Sequence, residues 1–394
     1  QAFKSNSGGD SEAIKDIIDK MTLEQKVAQL FVVSPETLTG VDSVQYAGDM
    51  TYQALQDYPV GGIVFAKDNI DSSSQFGTMT DNLQSYSEDI SGLPLFLAAA
   101  EEGGSASVLG NNDNLDEYYE NSYSDDDSDY SSSSANSVHS GATSMSEIGR
   151  KDDSNNAYEA GKSIGSLMSA YGLNLDLAPV ADVLSGNSTG IGDRTFGTDA
   201  QTVSDMALEV IRGIQEEDVN AAMKYFPGYG AASSNMSGFP VINSSLDELK
   251  KKEFLPYSNA IAQGLDFVMV GHISVPNVTG DDTPTSLSEK MISEVLRKDL
   301  GFKGIVMTDY LNDKTIVKNY GAADAAVKAI QAGADLLLEP DDLEAAYEGV
   351  LKAVKKGDIT EDRLDESIYR ILRVKLSMQD ESSDTTESES VSDY

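Results

Sequence analysis

Residues 304–340 read GIVMTDYLNDKTIVKNYGAADAAVKAIQAGADLLLEP. Two short apolar runs, GIVMTDY (304–310) and ADLLLEP (334–340), flank an amphipathic stretch of helical period. Strand, helix, strand in that order is the unit of a parallel sheet, because parallel neighbours need a long crossover between them. Neither run alternates apolar with polar residues, so each strand is expected to be buried on both faces.

The same unit repeats along the chain. Further strand candidates are AQLFVVS (28–34), GGIVFAK (61–67), PLFLAAA (94–100), NLDLAPV (174–180), NAAMKYF (220–226) and DFVMVGH (266–272), which makes eight in all. Helical stretches such as NAYEAGKSIGSLMSAYG and SLDELKKKEFLPYSNAIAQG stand between them, each ending at a glycine suited to a left-handed cap. Eight alternations favour an α/β fold closed as a single-domain (β/α)8 TIM-type barrel over an open, doubly wound sheet. The terminal helices, SEAIKDIIDKM and TEDRLDESIYRILRVKL, are expected outside or beneath it.

Composition narrows the function. With 394 residues, 40% of them hydrophobic, the chain can bury one large core, and its formal charge of −38 opposes binding to nucleic acid or to an anionic membrane surface. No cysteine is present, which excludes disulfides and thiol chemistry, and no apolar run is long enough to cross a bilayer. Residues 1–11 read as a flexible tether, which suggests an extracellular or surface-attached protein. An acidic, Ser- and Tyr-rich insertion spans about 105–146, and residues 379–394 form an acidic tail expected to be disordered. Asp125, Asp127 and Asp129 alternate within the insertion but lack the turn glycine and closing glutamate of a calcium loop, so no metal and no cofactor are expected. His139 lies in the same insertion and is discounted.

A barrel of this type carries its chemistry where strands end. The polar residues at those ends are Lys67, Glu101, Glu102, Asp182, Lys224, His272, Asp309 and Glu339. Asp309, directly after the buried run GIVMT, is the sharpest catalytic candidate; an aspartate satisfied by loop amides is the alternative. His272 reads equally well as a pocket residue or as hydrogen-bonded structure.

The runs LDLAPVADV (175–183), GDRTFG (192–197), KYFPGYG (224–230), MVGHISVPNVTGDD (269–282) and GIVMTDYLN (304–312) closely resemble glycoside hydrolase family 3. The resemblance is to its single-domain bacterial β-N-acetylhexosaminidases and covers residues 12–378. It implies a barrel enzyme that removes β-linked N-acetylglucosamine with retention, through a covalent glycosyl-enzyme on Asp309. It also implies pocket positions for Asp182, Arg194, Lys224 and His272; Glu102, from the strand-end set, is expected beside them as a substrate contact. Its expected partner is an amino-sugar glycan or fragment; oligomeric state stays open.

The departures from the family pattern fall in one pocket. Where the family has KHFPGHG, this chain has Tyr225 and Tyr229 in place of both histidines. The Asp and His that serve as general acid and base align with Asn235 and Ser237, neither of which shuttles protons near neutral pH. Ala100 and Ser105 replace an aspartate and an arginine around the EGG motif. Three readings follow: an impaired, glycan-binding member; a working hexosaminidase that recruits Glu101, Glu102 or an acid of the insertion; or a noncatalytic surface interaction protein. Tyr118, Tyr119, Tyr123 and Tyr130 of the insertion either stack on sugar faces or anchor the loop.

Overall fold

The computed structural model describes residues 2–4, 11–115, 143–185, 190–234 and 238–388, with side chains placed as far as Gln379. The strands are β1 (Phe31–Val33), β2 (Gly62–Val64), β3 (Phe96–Ala99), β4 (Leu175–Asp176), β5 (Asn220–Phe226), β6 (Phe267–Val270), β7 (Ile305–Thr308) and β8 (Leu337–Leu338). All eight pair in parallel, in the order β7-β6-β5-β4-β3-β2-β1-β8. The sheet comes round on itself where Met307 of β7 bridges Leu336, just ahead of β8, and the Thr308 amide donates to the Leu336 carbonyl at 3.0 Å. This is the TIM-type barrel, and each strand lies inside the run expected to hold it. Every strand residue is buried, which is why the runs read as continuously apolar.

The C-terminal helix, Glu361–Ser388, closes the base of the barrel, at the end remote from the strand C-termini. Its Arg373 Nη2 donates to Asp266, ahead of β6, at 2.8 Å, and Arg370 Nη1 donates to Asp335, ahead of β8, at 2.9 Å. Asp335 also receives Arg297 Nη2 at 2.5 Å, the Val306 amide at 2.9 Å and the Ser367 hydroxyl at 2.7 Å. Lys375, fully buried, donates to Gln29 Oε1 and to the Gly61 carbonyl, both at 2.8 Å, with the Phe96 ring centroid 5.0 Å away. Burial pulls this ammonium down to about 7. No helix among the described residues is long and apolar enough to cross a membrane.

Three boundaries differ from expectation. The helix continues into the stretch expected as a disordered tail, as far as Ser388, where MQDESSDTTES holds no proline or glycine to break it; residues 389–394 lie outside the described residues. The insertion is narrower than 105–146: Leu109, Leu115, Met145 and Ile148 are buried, so apolar side chains fasten both of its flanks to the core. The chain leaves at Gly104 and returns at Ser144, so close that a Cβ on Gly104 would lie 2.9 Å from the Ser144 Cβ; with φ at +59° as well, only glycine fits. Residues 116–142, including His139, Asp125, Asp127, Asp129 and the four tyrosines, lie outside the described residues.

The third difference is in the tether. Phe3 is only 4% exposed, its amide donates to the Gln263 carbonyl at 2.7 Å, and the Arg212 guanidinium sits 5.5 Å from its ring centroid. Lys4 adds an exposed ion pair to Asp218, which contributes little. Burying a phenylalanine side chain is worth roughly 1.5–3 kcal/mol, so Phe3→Ala should lower the free energy of unfolding in urea by about 2 kcal/mol. An unchanged midpoint would show that the anchored residues add nothing to stability.

Candidate functional site

Two clusters meet at the C-terminal ends of the strands. The first centres on Glu102, past β3. One face of its carboxylate takes Arg194 Nε at 2.8 Å and Nη2 at 2.9 Å, and Oε2 also takes Lys224 Nζ from β5 at 2.8 Å. A bidentate guanidinium and an ammonium on one buried carboxylate form a strong, charge-assisted set. Burial pushes the Glu102 carboxyl up, but Lys224 and Arg194 outweigh it and hold it below the usual range. Two cations share one carboxylate, so a positive charge is left over. Tyr225 answers it: its hydroxyl accepts from Arg194 Nη2 at 2.8 Å, and its ring centroid lies 4.8 Å from Lys224 Nζ.

The second cluster centres on Asp309, at the end of β7. Its Oδ1 accepts the Tyr310 amide at 2.8 Å, and its Oδ2 accepts the Tyr229 hydroxyl at 2.8 Å. The same hydroxyl accepts the His272 amide at 2.7 Å. The Tyr229 ring lies against the backbone of Gly271, where a Cβ would stand 3.2 Å from it, so glycine at 271 makes room for this ring. Burial first, then the Asp309 charge, push the Tyr229 phenol well above its ordinary value, so it stays protonated and donates. Tyr225 and Tyr229 meet edge-on, with centroids 5.0 Å apart.

The remaining candidates serve the backbone. Asp182 accepts the Tyr225 amide at 3.1 Å and the Gly230 amide at 2.9 Å, and so clamps the loop after β5; burial pushes its carboxyl up to about 7. His272 is 3% exposed and has both ring nitrogens engaged. Since a carbonyl only accepts, Nε2–H donates to the Tyr310 carbonyl at 2.7 Å, while Nδ1 pairs with the Ser286 hydroxyl at 2.8 Å. Asp182 and His272, expected to face a sugar, thus also help to hold Tyr225 and the loop carrying Asp309 in position.

Glu101 takes the amides of Val108 and Leu109 on one oxygen and that of Gly110 on the other. Glu339 takes the Ser34 amide and the Thr37 hydroxyl. Lys67 is exposed and makes no ion pair among the described residues. Beneath the site, Asp176 Oδ1 accepts the Glu101 amide at 2.9 Å, whereas its Oδ2 has no partner; burial, with the neighbouring Glu101, raises its carboxyl well above the usual range. Asn235 and Ser237 lie outside the described residues.

The structure therefore brings Glu102, Arg194 and Lys224 into one cluster and sets Asp309 in another. Sequence reasoning missed what joins them. Tyr225 and Tyr229 read as lost histidines, whereas both phenols bind the groups that remain; their place just after Lys224 was the available signal. Ser286 carried no signal at all.

Comparison with known proteins bears on the family and the fold. The chain is 32% identical over 220 residues to the β-hexosaminidase LpqI of Mycobacterium tuberculosis, covering 54% of this chain and 56% of that protein. It is 26% identical over 327 residues to a β-hexosaminidase of Nitrosomonas eutropha, covering 80% of this chain and 81% of that one. Among solved structures, a family 3 β-N-acetylglucosaminidase from Paenibacillus sp. str. FPU-7 superposes with a TM-score of 0.78 at 30% identity, over 91% of this chain and 63% of that chain. The chain thus spans less than two thirds of the length of the mycobacterial and Paenibacillus proteins. Residues 136–374, more than half of the chain, match the model of the glycosyl hydrolase family 3 N terminal domain, and the protein belongs to that family.

Proposed function

We propose that this protein is a β-N-acetylhexosaminidase-type family member that binds glycans containing β-linked N-acetylglucosamine and hydrolyses them slowly or not at all. The observation that carries this reading is the state of the strand-end carboxyls. Glu101, Glu102, Asp182 and Glu339 each have both oxygens bound to protein donors, so none hangs free to protonate a leaving group. The sequence adds Asn235 and Ser237 where the family's proton donor stands. The reading in which Glu101 or Glu102 takes over as the acid loses support from the same geometry, since freeing either means breaking three hydrogen bonds. An extracellular or cell-surface site of action fits a glycan-binding role and is part of the proposal.

Calorimetry with N-acetylglucosamine and chitooligosaccharides, with product analysis on the same samples, tests it. Saturable heat without product release is expected. Release at the rate of a relative bearing the Asp–His pair would overturn the reading.

A further inference from the structure

A sugar gripped by Arg194 and Lys224 with its anomeric carbon over Asp309 has to occupy the interval between these groups. Protein spans that interval. Arg194 Nη2 donates to the Tyr225 hydroxyl at 2.8 Å, the two tyrosine rings meet at 5.0 Å, and the Tyr229 hydroxyl donates to Asp309 at 2.8 Å. A phenol presents these groups with what a sugar presents: a hydroxyl for the guanidinium and an apolar face for its neighbours.

The two rings are held unequally. Tyr229 is fixed at its hydroxyl by both Asp309 and the His272 amide, and along its ring by Gly271. The Tyr225 backbone is clamped by Asp182, while its buried side chain is held by one hydrogen bond, to Arg194, and by ring contacts with Lys224, Arg194 and Tyr229. Its hydroxyl has one hydrogen bond to break, against two at Tyr229, so Tyr225 is the ring displaced at the lower cost while the loop stays in place.

We propose that Tyr225 is an internal ligand of the sugar subsite, an autoinhibitory side chain whose hydroxyl occupies Arg194 and which an N-acetylglucosaminyl unit has to displace in order to bind. This rests on the glycan-binding reading and deepens it. The apparent affinity is then the intrinsic affinity multiplied by the fraction of molecules in which Tyr225 has swung away. Removing the hydroxyl removes a hydrogen bond to a charged group, and should raise affinity on the order of tenfold.

Calorimetric titration of wild type, Tyr225→Phe and Tyr225→His with N-acetylglucosamine and chitobiose reads this directly, with thermal denaturation confirming that each variant is folded. The expected result is binding about tenfold tighter in Tyr225→Phe than in wild type, and at least as tight in Tyr225→His. A second measurement uses wild-type protein labelled with ¹³C-tyrosine: the Tyr225 ring signal, identified by its absence from Tyr225→Phe, should shift on saturation with sugar. Wild-type binding with no gain in either variant, or with an unmoved Tyr225 signal, overturns the internal-ligand proposal and leaves the glycan-binding reading standing. Absence of binding in all three proteins overturns both.

Discussion

Wild-type protein mixed with an aryl β-N-acetylglucosaminide bearing a good leaving group should release about one equivalent of phenol and then stall, leaving the sugar on Asp309. In the first step an Asp309 oxygen attacks the anomeric carbon and the bond to the aryl oxygen breaks. A good phenolate departs without a proton, so the missing acid is not felt. In the second step water must attack the same carbon and lose a proton to a base, and on the proposed reading the chain has no residue in that role. General acid–base catalysis is typically worth about 10²- to 10⁴-fold, and hydrolysis of the ester should be slowed by at least about 100-fold relative to an intact family member. Azide needs no base. It should attack the anomeric carbon, expel the Asp309 carboxylate and give the β-glycosyl azide. Intact mass should show one added N-acetylhexosamine, peptide mapping should place it on Asp309, and Asp309→Asn should abolish burst and adduct together. Sugar binding with neither burst nor adduct would remove Asp309 as a nucleophile and leave a binding pocket.

The second large effect is expected at the opposite end of the barrel. Asp335 is fully buried and accepts from Arg297, Val306, Ser367 and Arg370. Asp335→Ala leaves two guanidinium groups without their buried partner, which typically costs about 3–5 kcal/mol, against a total stability of roughly 5–15 kcal/mol for a domain. Much of the variant should unfold at modest urea. The pH dependence has a definite sign. Burial opposes ionisation of Asp335, yet Arg297, Arg370 and Arg363 outweigh it and hold the folded carboxyl below its ordinary value. A carboxyl lowered by folding stabilises fully above its unfolded value, near 3.9, and loses that contribution as pH falls through the folded one. The stability gap between wild type and Asp335→Ala should therefore be constant from about pH 5 to 8 and narrow below about pH 4. A gap that widens in acid would mean that Asp335 is not the ionised centre of this cluster.

The barrel was legible because burial on both faces writes a strand as an unbroken apolar run, and eight such runs repeat. The place of Asp309 at the end of β7 was legible for the same reason, since a charge at the end of a buried run stands out. The partners of each polar group were not. Glu102 and Arg194 are 92 positions apart, and the amide that engages Glu339 comes from 305 positions away, at Ser34. Which donors reach a carboxylate is settled by loops that converge only once the barrel has closed. Asp182 and His272 sit on pocket motifs, yet Asp182 spends its oxygens on backbone amides and His272 spends its ring nitrogens on a carbonyl and a serine. Phe3 was read as tether because a lone aromatic in a polar terminus does not announce the groove that receives it.

The juxtaposition of Gly104 and Ser144 has an engineering consequence. Because the barrel itself brings these two residues together, the ends of the stretch between Leu115 and Thr143 stay fixed whatever its length. For a flexible loop each doubling of length costs only about 0.6 kcal/mol, less than many single core substitutions. On that arithmetic the seam should tolerate changes in the length of the sequence between its flanks at little cost to folding. A foreign peptide grafted between the same two flanks should therefore leave the core, and the urea midpoint, close to those of the parent protein.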